Sequence, residues 1–187
     1  MRIRKQLYLI PAVAAMLTAG CTDKNSNGNQ DAGCDSVIVE TVADSSLYGV
    51  LGDGTAMSSL QLITDVGDTM ELVLASVDSG MTVVYGGLLA GDRVAVLSHT
   101  ANGEHIADKV INITSLLGKW TSIDKSFEIR EGGIVESSIK AETNPWTQWK
   151  LLNGNMVLNA DTFQIDLIGP DSLCLENANG IFAYRRQ

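Results

Sequence analysis

Residues 161–187 read DTFQIDLIGPDSLCLENANGIFAYRRQ, and this stretch decides the fold class. Phe163, Ile165 and Leu167 alternate with Thr162, Gln164 and Asp166. That two-residue period belongs to a half-buried strand, so the first set is predicted to face a core and the second to face water. The pattern breaks at Gly169-Pro170-Asp171 and again at Asn177-Ala178-Asn179-Gly180. Proline presets φ there, and glycine and asparagine supply the positive φ that tight hairpins require.

The same alternation of short apolar runs and turns continues toward the N-terminus. KWTSI, SFEIR, GIVESSI, WTQWKLL and NMVLNA precede the stretch, separated in part by Glu131-Gly132-Gly133 and Asn153-Gly154. With TFQIDLI, SLCLE and GIFAYRR they make eight strands between Leu117 and Gln187. Eight short antiparallel strands in succession close most simply into an up-and-down barrel, which removes the exposed edges of an open sheet. Upstream, SVIVETV, SLYGVL, SLQLIT, TMELVLAS, TVVYGGL, RVAVLSH and IADKVINI are again β-rich. Helical periodicity is weak throughout, and one helical turn is predicted around Asn112 to Leu117. The fold class read from this pattern is all-β, with two small antiparallel β-barrels over residues 35–114 and 115–187.

Leu117-Gly118-Lys119-Trp120 resembles the Gly-x-Trp signature that opens lipocalin barrels. With the spaced aromatic and glycine positions after it, the second region is similar to the compact lipocalin-like domains of envelope lipoproteins from Gram-negative gut anaerobes, over about seventy residues. The resemblance implies that Gly118, Trp120 and Arg185, or the adjacent Arg186, close one end of an eight-stranded lipocalin-like barrel by cation–π stacking. Gly86-Gly87-Leu88-Leu89-Ala90-Gly91-Asp92-Arg93-Val94-Ala95-Val96 resembles the glycine corner and Gly-Asp turn of small OB-like barrels. An OB-like barrel paired with a lipocalin-like one is similar to the NlpE-type envelope lipoproteins. Here the order is reversed and the Cys-x-x-Cys of that family is absent, so its copper or stress-sensing role is not carried over.

Inside the second barrel Phe127, Ile129, Trp149 or Trp146, Phe163, Ile165, Leu173 and Tyr184 are expected to fill the space. A ligand cavity, if present, would be lined by Phe127, Trp149, Phe163 and Tyr184. Strands of five to seven residues leave little room for such a cup, which favours a filled barrel. Trp146 and Trp149 lie three apart and are predicted to point to opposite faces of their strand. The outward one is expected to pack on the neighbouring domain, with a sugar or partner platform as the alternative.

The N-terminus speaks to location. Arg2, Arg4 and Lys5 precede the apolar run LYLIPAVAAML, which gives way to Thr18-Ala19-Gly20 and Cys21. This is the order of a secretory signal peptide over residues 1–20, and the run is too short for a membrane span, which needs roughly 17 to 25 apolar residues. The cysteine after Gly20 matches the bacterial lipobox, with Leu17 one residue further back than usual. Cys21 is therefore the expected lipidation site, carrying palmitate or similar acyl chains. Each buried methylene contributes ~0.8 kcal/mol and more than one chain makes attachment persistent. Residues 21–34 then form a flexible linker, rich in Asn, Ser, Gly and Asp, that would hold the folded part roughly 20 Å from the membrane. Thr22 in place of an aspartate directs the expectation to the outer membrane, on its periplasmic face or at the cell surface.

Removing Arg2, Arg4 and Lys5 with the signal peptide shifts the formal net charge from −9 to −12. Nucleic acid and bare anionic lipid are poor partners for such a chain. Cys34 and Cys174 remain as a disulfide pair in an oxidising envelope, or as two buried small hydrophobes. His99 and His105, the two histidines, flank the turn TANGE; with Glu104 they would make a metal pair, against the simpler reading of solvated turn residues. Ser98 and His99 are adjacent and so face opposite ways on a strand, and no nucleophile elbow, phosphate loop or calcium ladder occurs. The expectation is a non-catalytic, cofactor-free, lipid-anchored binding or interaction module whose partner is a protein or glycan. The alternative is a carrier of a small apolar ligand, and a hydrolase or metal enzyme on His99 and His105 is weaker.

Overall fold

The computed structural model describes residues 43–76, 80–138 and 143–187. The expected strand at 36–42, the linker, Cys21 and Cys34 lie outside these residues. The first sheet comprises β1 (Leu47–Leu51), β2 (Ser59–Thr64), β3 (Thr69–Leu74), β4 (Val83–Tyr85), β5 (Arg93–Ala101) and β6 (Glu104–Asn112). β1, β2 and β3 form an antiparallel meander, β5 and β6 a long hairpin, and β1 pairs with β5. β3 then runs alongside β6, with Val73 opposite Ile106, and closes a five-stranded barrel of order 1-2-3-6-5. This is the OB-like connectivity. It corrects the expectation of a purely antiparallel barrel: a ring of five strands cannot alternate direction throughout, so one neighbouring pair must run parallel. The short β4 also lies parallel to β6.

Alternate residues of these strands, Leu51, Leu60, Leu62, Leu72, Val94, Val96, Ala107 and Val110, fill the first barrel. The glycine corner between β4 and β5 is held by Asn112, which is fully buried. Its Nδ2 donates to the carbonyls of Gly86 and Gly87 and to Asp92 Oδ2 at 2.7 Å. Its Oδ1 accepts from the Ser115 backbone, capping the single-turn helix α1 (Ile113–Leu116). A side chain at Gly86, where φ is 89°, would collide with Asn112 and Ser115.

The second sheet follows: β7 (Gly118–Thr121), β8 (Ser126–Arg130), β9 (Ile134–Ser137), β10 (Trp149–Leu152), β11 (Asn155–Leu158), β12 (Asp161–Ile168), β13 (Ser172–Asn177) and β14 (Gly180–Arg186). Consecutive strands pair antiparallel except across the β9–β10 seam, and β14 returns to β7, with Arg186 opposite Trp120. At the seam the Ile134–Gln148 bridge and the Val135 N–H donated to Thr147 O at 3.0 Å nearly complete the eight-stranded, lipocalin-like ring. One detail of the alternation is corrected. The register of β12 against β13 shifts between Ile165 and Leu167, a bulge at Asp166. The extra residue reverses the parity, so Leu167 is 45 % exposed and Ile168, at 4 %, takes the inward place.

The two barrels share a core. Val94 and Val96 point into the first barrel while Ala95 between them points out, and with Ile111, Ile113 and Leu116 it joins the buried cluster of Trp120, Ile129, Leu151 and Met156. A single strand thus serves two cores through its two faces.

Candidate functional site

Gly118, Trp120 and Arg186 close the end of the second barrel nearest α1. Trp120 is fully buried, donates its Nε1–H to Leu116 O at 2.9 Å, and carries the Arg186 guanidinium over its ring at 4.2 Å. That guanidinium also donates to the carbonyls of Ser115, Leu117 and Pro170. Gly118 adopts φ 125°, and a Cβ there would lie 2.7 Å from Arg186 Nη1. The expected Arg185 is not the stacking residue. It pairs with Thr121 and is exposed, because the alternation of β14 sends neighbouring side chains to opposite faces.

Of the four residues that would line a cavity, Phe127, Phe163 and Tyr184 pack into a solid aromatic core, and of the two tryptophans it is Trp146 that joins them. The Trp146 ring meets Phe127 at 5.1 Å, Phe163 at 5.7 Å and Tyr184 at 6.4 Å, each edge to face, and Phe127 meets Tyr184 at 5.0 Å. The segment carrying Trp146 is fixed by Asn159, whose Oδ1 accepts from the Thr147 and Gln148 backbone and whose Nδ2 donates to Pro145 O. Lys125 Nζ lies 4.2 Å from the centre of the Trp146 ring. Edge-to-face packing with this burial occupies the space a lipocalin cup would need.

His99 and His105 do not converge. His99 stands opposite Ile106 and binds Asp108 Oδ1 through Nδ1 at 2.8 Å, whereas His105 stands opposite Thr100 and contacts its hydroxyl. A pairing offset of one residue puts the two rings on opposite faces of the hairpin, so Glu104 cannot join them at one metal. Among the described residues no group of three or more His, Cys, Asp and Glu side chains is placed to hold a metal ion. Cys174 is half-buried, without a disulfide partner among the described residues, in an outer groove between β14 and the β7–β8 turn.

Trp149 belongs to a second feature, a cleft of about 620 Å³ between the barrels. The first barrel and α1 contribute Tyr48, Arg93, Ile113 and Thr114; the second contributes Leu117, Glu131-Gly132-Gly133 and Trp149-Lys150-Leu151. The Trp149 ring is anchored by its Nε1–H, which Arg130 O accepts at 2.7 Å. Arg93 is held by both carboxylate oxygens of Asp65, at 2.9 and 2.6 Å, and this pairing keeps the Asp65 carboxyl below its ordinary range and the guanidinium above its own. Tyr48 donates to Asp44 Oδ2 at 2.6 Å; burial, then the neighbouring carboxylate, pushes the phenol up. The side chains of Glu131 and Lys150 line the cleft, the Glu131 carboxylate helping to hold the Arg93 guanidinium charged, and Thr114 Oγ1 accepts from the Arg93 backbone, keeping its proton to donate.

Of these positions the sequence points to Trp149 and to the Gly132-Gly133 turn. Tyr48, Arg93 and Thr114 carry no local signal, because they reach the cleft only through the docking of one barrel on the other. Comparison with family models, with curated proteins and with solved structures finds no match for this chain.

Proposed function

We propose that the chain is a lipid-anchored lipoprotein of a bacterial envelope, tethered through Cys21 at the outer membrane, that acts without catalysis as a binding and interaction module. The observation that carries this reading is the filled second barrel. Phe127, Trp146, Phe163 and Tyr184 are all at most 8 % exposed and occupy each other's faces and edges. A carrier of an apolar ligand would have to expel part of this core, at about 3–5 kcal/mol for each large aromatic removed. Recognition is then left to the outer surfaces and to the cleft between the barrels.

Two measurements test the proposal. Intact mass analysis of the protein from its own host's membranes is expected to show a mature chain starting at an acylated Cys21, and Cys21→Ser to release the protein into the soluble fraction. Native mass spectrometry of the delipidated protein is expected to find no small molecule retained in the barrel. An unacylated mature terminus would remove the tether, and a stoichiometric apolar ligand would replace the module with a carrier.

A further inference from the structure

The cleft between the barrels offers an aromatic surface beside unused polar groups, and we propose that it binds a pyranose unit of a glycan, seated against the Trp149 ring. This deepens the reading of the chain as a binding module and rests on it. The volume of about 620 Å³ lies within the ~300–1,000 Å³ of ligand-binding clefts. Because Arg130 O already takes the indole N–H at 2.7 Å, the ring is fixed and presents carbon surface to the cleft. The C–H groups on one face of a pyranose carry slight positive charge and stack on the electron-rich face of such a ring.

The polar lining matches the rest of a sugar. Glu131 offers two acceptor oxygens to vicinal hydroxyls, Lys150 offers donors, and Thr114 retains its hydroxyl proton. Of the two cations in the lining, Arg93 is closed by Asp65, and the ammonium of Lys150 is matched by the carboxylate of Glu131 in the same lining. Two cations, Arg93 and Lys150, offset by two carboxylates, Asp65 and Glu131, leave the cleft close to neutral, which suits a neutral polyol better than an ionic ligand. An extended peptide is the other macromolecular occupant, and it lacks a backbone edge to pair with here. The β9–β10 seam is bridged at Ile134 and Gln148, and a Cβ at Gly133 would lie 3.0 Å from Trp149 O, so the two backbones are already in contact.

The test is calorimetric titration of the full chain with hexasaccharides of defined linkage, built from β-1,4-glucose, α-1,4-glucose, β-1,3-glucose, β-1,4-mannose and β-1,4-N-acetylglucosamine. At least one is expected to bind with a dissociation constant of about 1 mM or tighter. Trp149→Ala is expected to weaken it about tenfold or more, and Glu131→Gln and Lys150→Ala about three- to tenfold each, the two polar variants leaving the melting temperature unchanged. Since Trp149→Ala removes a packed ring, the two polar variants decide the matter if it fails to fold. The proposal is overturned if no member of the panel binds, if the polar variants bind as the parent does, or if a library of extended peptides competes for the cleft with higher affinity. Loss of the glycan site in this way leaves the module reading intact when the barrel still retains no ligand, whereas a retained apolar ligand removes the module reading whatever the sugars do.

Discussion

At the scale of single residues, Arg186 does most to close the second barrel. Its guanidinium stacks on Trp120 at 4.2 Å and donates to three carbonyls, two at the end of α1 and one in the β12–β13 turn. Stacking in a partly desolvated site contributes about 0.5–2 kcal/mol and hydrogen bonds to a charged group about 1.5–3 kcal/mol, not additively. Arg186→Ala is therefore expected to lower unfolding free energy by about 2–4 kcal/mol, and the exposed Arg185→Ala by no more than about 0.5 kcal/mol, in urea denaturation. Arg186→Lys should recover only part, because an ammonium cannot reproduce the planar fork. Equal losses at both arginines would sink this account. At the top of the barrel, Trp146→Ala should cost about 3–5 kcal/mol, with Trp149→Ala costing less, and the reverse order would contradict the placement of the two rings. The Gly-x-Trp signature was legible in the sequence. The choice between adjacent arginines was not, because it depends on which of them the β14–β7 register sets opposite Trp120.

At the scale of elements, the β10–β11 hairpin shows how a local turn becomes an interface. Asn153-Gly154 is a hairpin turn by sequence, and Asn153 adopts φ 48° as such turns require. In the structure the same turn also receives the chain entering β1: Asn153 donates its backbone N–H to Asp44 Oδ1 at 3.0 Å and accepts from Ser45, while Lys109 Nζ donates to Gly154 O. Burial alone would raise the Asp44 carboxyl above its ordinary 3.8, but hydrogen bonds from Tyr48, Asn153 and Ser46 outweigh it and the net shift is downward. A carboxyl lowered on folding contributes stability that is present above its unfolded value and lost as the pH falls through its folded one. Stability should therefore fall below about pH 4, and Asp44→Asn should fall less steeply there in denaturant midpoints measured from pH 6 to pH 2. Parallel curves for the two proteins would show that this contact does not couple to folding. Element scale is also where the pattern reading slipped. The bulge at Asp166 and the offset of His99 from His105 arise from pairing with a neighbouring strand, and a strand read alone carries neither.

At the scale of the whole molecule, the shared cluster predicts cooperativity. Ala95 and Ile111 leave the first barrel to pack with α1 and the core of the second, so neither barrel can unfold without exposing part of the other's apolar surface. Calorimetry is expected to show one transition, and Ile111→Ala to shift the whole of it downward by about 2–5 kcal/mol. Two separated transitions, or one moving alone, would mean the barrels are energetically independent. The sequence by itself determined that the chain is all-β, where all fourteen described strands begin and end to within a few residues, and that the second region is an eight-stranded meander, because alternation and turn chemistry are local and each hairpin is fixed by residues near in the chain. The tertiary structure alone decided that the first barrel closes through a parallel pair, that Trp146 and not Trp149 fills the second, and that Tyr48, Arg93, Glu131 and Trp149 face one cleft. Those outcomes follow from ring closure, strand register and the burial of one barrel's outer face against the other, contacts between residues tens of positions apart that leave no periodic trace in the sequence.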